Sequence, residues 1–149
     1  MNLHRADLDA PIWEATRTRT STTLLFPQPG ALLNMNHRTH WRTKARVTRQ
    51  WRHAAAQVAL LLGPPALRQH PASWVRLIIP VPDRRRRDPA NLTPLTKAAI
   101  DGLVDSGVWP DDSPEFVETL EPRLVHIPRT KGIVPTIELV IVPRTGETP

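Results

Sequence analysis

The sequence predicts an α/β (α+β) fold: a small single domain with a mixed sheet of about four strands and two main helices covering one side. Three observations predict it. The 149 residues suit one domain with one core. Two stretches carry apolar residues at steps of three and four, and several short runs have the composition and alternation of strands. Seventeen prolines fall mostly between these elements and punctuate loops.

Taken in order, residues 1–21 show neither helix nor strand period and are rich in Thr, Arg and Asp, which predicts a flexible N-terminal extension, with Trp13 as an anchor, ahead of a folded domain at 22–149. "TTLLF" (22–26) is a strand stopped by Pro27 and Pro29. In the first helix Val47, Trp51, Ala54, Val58 and Leu61 share one face, and Arg42, Arg46, Arg49 and His53 share the opposite one. "GPP" at 63–65 ends it. "WVRLIIPVP" (74–82) is a strand with Val75, Leu77, Ile79 and Val81 on one face, and Pro80 places it at a sheet edge or near its own end. In "NLTPLTKAAIDGLVDSG", Thr93 is the expected N-cap, Pro94 the first helical residue and Gly107 the C-cap glycine. Ile100, Leu103, Val104 and Gly107 form its buried stripe, and Lys97, Asp101 and Asp105 another face. "EFVETLEPRLVHIP" and "TIELVIVP" predict two antiparallel strands joined by a turn at 129–132.

Composition bounds the function. A net charge of +6 favours an anionic partner, of which nucleic acid is the commonest. The absence of cysteine excludes disulfides and thiolate zinc sites, so any metal must be held by oxygen or imidazole. The longest apolar runs fall short of a membrane span and the N-terminus lacks a signal-peptide pattern, so the expectation is a cytoplasmic protein without a membrane partner.

The chemistry concentrates in residues 82–112. Arg84, Arg85, Arg86 and Arg87 lie directly before Asp88, where cations would hold a carboxylate ionised and also bind phosphates. Asp111 and Asp112 follow the second helix, and meet Asp88 only if the chain folds back; taken alone, "PDDSP" reads first as a plain surface turn. Carboxylates beside basic residues are what metal-dependent phosphodiester cleavage requires. Between residues 36 and 53 there are six Lys or Arg, three His and no acid. His37, His40 and His53 match no compact zinc spacing and read as surface or phosphate-contacting residues. Trp51 belongs to the core stripe, Trp109 packs under the acidic loop, Trp41 and Trp74 either pack or stack on unpaired bases, and Asp105 and Glu115 are surface charges.

The block "PDRRRRDPANL", then Lys97, then "AAIDGLVDSGVWPDD" resembles the RusA-type Holliday-junction resolvases, many of them encoded by phages and prophages. "LLNMNHRTHWR" is more weakly similar to the segment before that family's first long helix. The resemblance implies a RusA-like nuclease domain: a Mg²⁺-dependent endonuclease, with Mn²⁺ as the other candidate ion, that resolves four-way or branched DNA by paired nicks as a homodimer. It places catalytic roles on Asp88, Lys97 and Asp112 and metal binding on Asp88 and Asp112, with Asp111 and Asp101 as further ligands. DNA contacts fall on Arg84, Arg85, Arg86, Arg87, Asn91 and the basic helix face of Arg42, Arg46 and Arg49. The departure is Ala90, preceded by Pro89, where the family usually carries a second aspartate, together with three extra residues before Lys97. Either another acid fills the vacancy, Asp101 first and Asp83 second, or the chain is a catalytically weakened branched-DNA-binding protein. A basic structural protein of a phage, with its acids in plain turns, is the third reading.

Overall fold

The computed structural model of the chain describes residues 11–145 and 148–149. Among these, six strands form one mixed sheet: β1 (Glu14–Arg17), β2 (Thr22–Pro27), β3 (Ser73–Val81), β4 (Val117–Thr119), β5 (Arg123–His126) and β6 (Thr136–Pro143). The order is β1-β2-β6-β3, with β4 and then β5 running parallel to β3 along its far edge; the other pairings are antiparallel. The helices are α1 (Trp41–Ala59), the short α2 (Pro65–Arg68) and α3 (Thr93–Asp105). The small α+β domain with two main helices is therefore as expected.

The extra strands have local causes. Leu120–Pro122 interrupts the expected 115–128 strand, because Pro122 cannot continue a ladder through its nitrogen, so β4 and β5 form on either side. β1 lies inside the expected flexible extension, paired with β2 from Glu14↔Leu25 to Arg17↔Thr22; residues 1–10 of that extension lie outside the described residues. Arg17 reinforces this edge by donating to the carbonyls of Leu67 and Gln69, both at 3.0 Å.

The last two expected strands do not form a hairpin. β3 lies between β5 and β6, since β6 is apolar enough to pair on both sides, with β2 and with β3. A turn at 129–132 constrains only its own residues; strand partnership follows burial. β3 is thus interior, and Pro80 falls beyond Ile78, where the β6 ladder ends.

Val75, Leu77 and Ile79 from β3, Leu24 and Phe26 from β2, and Ile137, Leu139 and Ile141 from β6 are fully buried in one core with α1 and α3. The periodicity of α1 is realised in Val47, Trp51, Ala54 and Val58, and Trp51 donates its indole N–H to the Ala31 carbonyl at 3.1 Å. Leu61 is the exception, exposed because the chain tightens into a 3₁₀ turn at Leu60–Leu62 and rotates it off the stripe. In α3 the buried stripe includes Ile100 and Leu103, whereas Val104 is only half-buried and Gly107 is exposed.

Candidate functional site

The segment after β3 sets the entrance to the site. Pro89–Leu92 forms a 3₁₀ turn capped by Asp88, whose Oδ1 accepts from the Ala90 N–H at 3.1 Å. Thr93 is therefore not the cap of α3. It is already helical (φ −52, ψ −33), and its hydroxyl donates to the Ala90 carbonyl at 2.6 Å. The three extra residues before Lys97 are not a loop: they belong to the first turn of α3, with Leu95 fully buried.

The far end of α3 returns the acidic loop. Gly107 adopts φ +81, the Gly107 N–H donates to the Val104 carbonyl, and the Val108 N–H reaches back to Leu103, each at 3.0 Å. This is the paired-bond helix stop that a left-handed glycine permits. Trp109, 1% exposed, donates its indole N–H to the Pro71 carbonyl at 3.0 Å, and the His70 N–H donates to the Val108 carbonyl. The loop is thus anchored from beneath by Trp109, as expected from the sequence.

Anchored this way, Asp112 comes back to α3. Lys97 Nζ donates to Asp101 Oδ1 at 3.3 Å and also to Asp112 Oδ2. One ammonium therefore gathers the helix aspartate and the loop aspartate, fifteen residues apart along the chain from Lys97 to Asp112. Asp111 points into its own turn, accepting from the Ser113 N–H at 2.7 Å, and the Ser113 side chain first, then this N–H, lower its carboxyl pKa. Asp88 sits at the other end of the 3₁₀–helix segment, exposed and engaged with Ala90.

The arginine tract serves a different carboxylate from the expected one. Arg87 pairs with Asp83 at 2.7 Å and Arg85 lies 3.6 Å from it; no arginine pairs with Asp88 among the described residues. Bonds from the Arg87 side chain and the Arg85 backbone bring the Asp83 carboxyl down from its ordinary 3.8 to about 2. This commits Asp83 to the tract, away from the Lys97 cluster, and leaves Asp101 as the candidate of the two that joins Asp112. Because the folded value is depressed, any stability Asp83 contributes is present above pH ~4 and is lost as pH falls towards 2. In an NMR titration Asp83 is expected to keep its charge to about pH 2, and its midpoint is expected to rise in Arg87→Gln. An unmoved midpoint would mean that Arg87 is not the cause.

Arg42, Arg46 and Arg49 are exposed on α1 without a carboxylate partner among the described residues, as their spacing predicts. The surface reading of Asp105 is incomplete: it accepts two bonds from Arg52, at 2.6 and 2.7 Å, tying α3 to α1. Both side chains are nearly half exposed, so the pair contributes no more than about 1 kcal/mol. Trp74 is buried and donates to Glu118, so it packs. Trp41 is 67% exposed at the start of α1, with the Arg42 guanidinium 5.2 Å from its ring centre, and is the one of the pair open to a base. His40 caps α1 by accepting from the Arg42 N–H at 3.2 Å. Sequence reasoning assigned no role to Arg76 or Arg123, which with the arginine tract line a groove at the sheet edge. They stand alone among apolar neighbours in the sequence, and only strand pairing collects them.

Among the described residues no three His, Asp or Glu side chains gather closely enough to hold a metal ion by themselves. The donors are nevertheless the hard carboxylate oxygens that Mg²⁺ prefers, and Mg²⁺ is held by one or two carboxylates when substrate phosphate and water complete its shell. The set fits an ion shared with substrate and does not fit a closed protein cage.

No family model matches the chain. Over 58 residues it is 43% identical to the crossover junction endodeoxyribonuclease RusA of Escherichia coli K12 and to that of Shigella sonnei Ss046, and 41% identical to the RusA of Enterobacteria phage 82. That stretch is 39% of this chain and 42% of each relative, so the chain spans less than half the length of the curated relatives it matches. The family resemblance read from the sequence is borne out over that stretch.

Proposed function

We propose that the chain is a RusA-type, structure-selective endonuclease that hydrolyses phosphodiester bonds at four-way or branched DNA junctions. The observation that carries this reading is the meeting of Lys97, Asp101 and Asp112 across the α3 turn, within the block that resembles the family. Lys97 supplies positive charge for the oxygens of the reacting phosphate, where fixed charge in a prepared site lowers the barrier. Asp101 and Asp112 hold the ammonium in place until substrate arrives. Asp88 and Asp112, with Asp101 or Asp111, would hold Mg²⁺ or Mn²⁺, which supplies an activated water and stabilises the leaving oxygen. Arg84, Arg86 and the α1 face of Arg42, Arg46 and Arg49 track the backbone phosphates, and Asn91 lies beside Asp88 at the entrance. A four-way junction offers two symmetry-related strands, so a homodimer with two matching sites suits paired nicks. A DNA substrate of this kind places the protein's work inside a bacterial or phage-infected cell.

A second reading, a junction-binding protein with weakened chemistry, is favoured by Ala90 in place of an acid and by the lack of a three-carboxylate group among the described residues. One experiment separates the two. A labelled four-way junction and a linear duplex of the same sequence are incubated with wild type and Asp88→Asn, in Mg²⁺ and in EDTA. Paired nicks that need the metal and Asp88 are expected. Tight junction binding without nicks in Mg²⁺ or Mn²⁺ would establish the second reading, and equal affinity for junction and duplex would refute both.

A further inference from the structure

The open groove between the 83–89 loop and the β4–β5 edge of the sheet is lined by six arginines against two carboxylates, Asp83 and Glu121. The charge is not balanced internally. Asp83 is occupied by Arg85 and Arg87, while Arg76, Arg84, Arg86 and Arg123 make no ion pair among the described residues. Arg76 adds a more specific signal. Its Nε is buried and has no hydrogen-bond acceptor, an arrangement that folded proteins avoid unless something else supplies the acceptor.

The topology explains how these residues meet. Arg123 in β5 is in register with Ile78, two residues along β3 from Arg76, so both arginines project from the same face of neighbouring strands. Arg84 and Arg86 come from the loop that leaves the end of β3. Two strands and a loop therefore line one groove, and Pro89, next to Asp88, forms part of the same wall. A guanidinium fork matches phosphate oxygens well, and several unpaired arginines favour a polyanion over a single carboxylate.

We infer that this groove is a phosphate-binding subsite in which Arg76, Arg84, Arg86 and Arg123 take the phosphodiester backbone of a DNA strand flanking the reacting bond. The inference rests on the nuclease reading for its ligand, and none of its four arginines belongs to the Lys97–Asp101–Asp112 cluster. Its role is to hold and orient the strand. Asp83 positions the arginine tract through Arg87.

The test uses the Arg76→Gln/Arg123→Gln double variant of the full chain, with Arg76→Lys/Arg123→Lys as the charge-retaining control and thermal melting to confirm that both fold. Junction affinity is measured against salt concentration. The Gln variant is expected to bind on the order of tenfold or more weakly at physiological salt, with the slope of log affinity against log salt reduced by about two. The Lys variant is expected to keep most of the slope. In wild-type protein the Arg76 Nε–H resonance should shift when a short single-stranded oligonucleotide is added. An unchanged slope in the Gln variant, with an unmoved Arg76 resonance, would overturn the inference. If the salt-slope and resonance changes occur but the junction is neither cleaved nor preferred over duplex, the subsite stands and the nuclease reading fails.

Discussion

Asp112→Asn is expected to reduce junction cleavage by a factor on the order of 10²–10³ while leaving junction affinity within about threefold, as for loss of a group that acts on the reacting phosphate rather than on the DNA arms. The side chain is 43% exposed and the loop carrying it is anchored by Gly107 and Trp109, so the fold does not depend on its charge. Exposed substitutions of this kind usually alter stability by about 0.5 kcal/mol or less. Asparagine keeps the size and one acceptor but removes the negative charge that meets Lys97. Undiminished cleavage with unchanged binding would remove Asp112 from the site. A parallel loss of melting temperature would mean that the carboxylate is structural.

The second large effect concerns the scaffold. Gly102→Ala is expected to destabilise the protein by about 2 kcal/mol or more, measured by urea or thermal unfolding, although alanine is intrinsically the better helix former by about 1 kcal/mol. A Cβ at 102 would lie 2.1 Å from the Arg52 carbonyl oxygen and 3.0 Å from the Ala56 nitrogen. Both are backbone atoms of α1, so no rotamer change can make room and the two helices must separate. Since α3 carries Lys97 and Asp101, cleavage is expected to fall as well. Gly107 provides the contrast: a Cβ there meets nothing within 4 Å, so the cost is only that of its left-handed φ of +81, roughly 1–2 kcal/mol. A Gly102→Ala protein as stable as wild type would show that α1 and α3 do not pack this closely in solution.

Much of this was legible in the residue order because it depends on local rules. The apolar spacing of Val47, Trp51, Ala54 and Val58 marks the buried face of α1, and Gly107 marks the end of α3, since few other residues tolerate its conformation. The role of Trp109 beneath the acidic loop follows from a large apolar ring placed beside two aspartates. Thr93 misled because Asp88 supplies an earlier cap, and a 3₁₀ turn inserted before α3 looks like a loop in sequence. The hairpin at 129–132 misled because turn residues report local geometry, whereas β6 found its partners through apolar contact on both sides.

The sequence by itself determined the helix faces, the chain stops, the surplus of positive charge and the motif that carries the resemblance. Each of these depends on residues close together in the chain. Only the tertiary structure decided which charges meet: that Lys97 gathers Asp101 and Asp112, that Arg87 holds Asp83 and leaves Asp88 to its turn, and that Arg76 and Arg123 share a groove. The physical reason is range. Caps and periodicity act over a few residues, whereas ion pairing depends on distance in space, which here is set by the strand order and by the loop that Gly107 and Trp109 fold back.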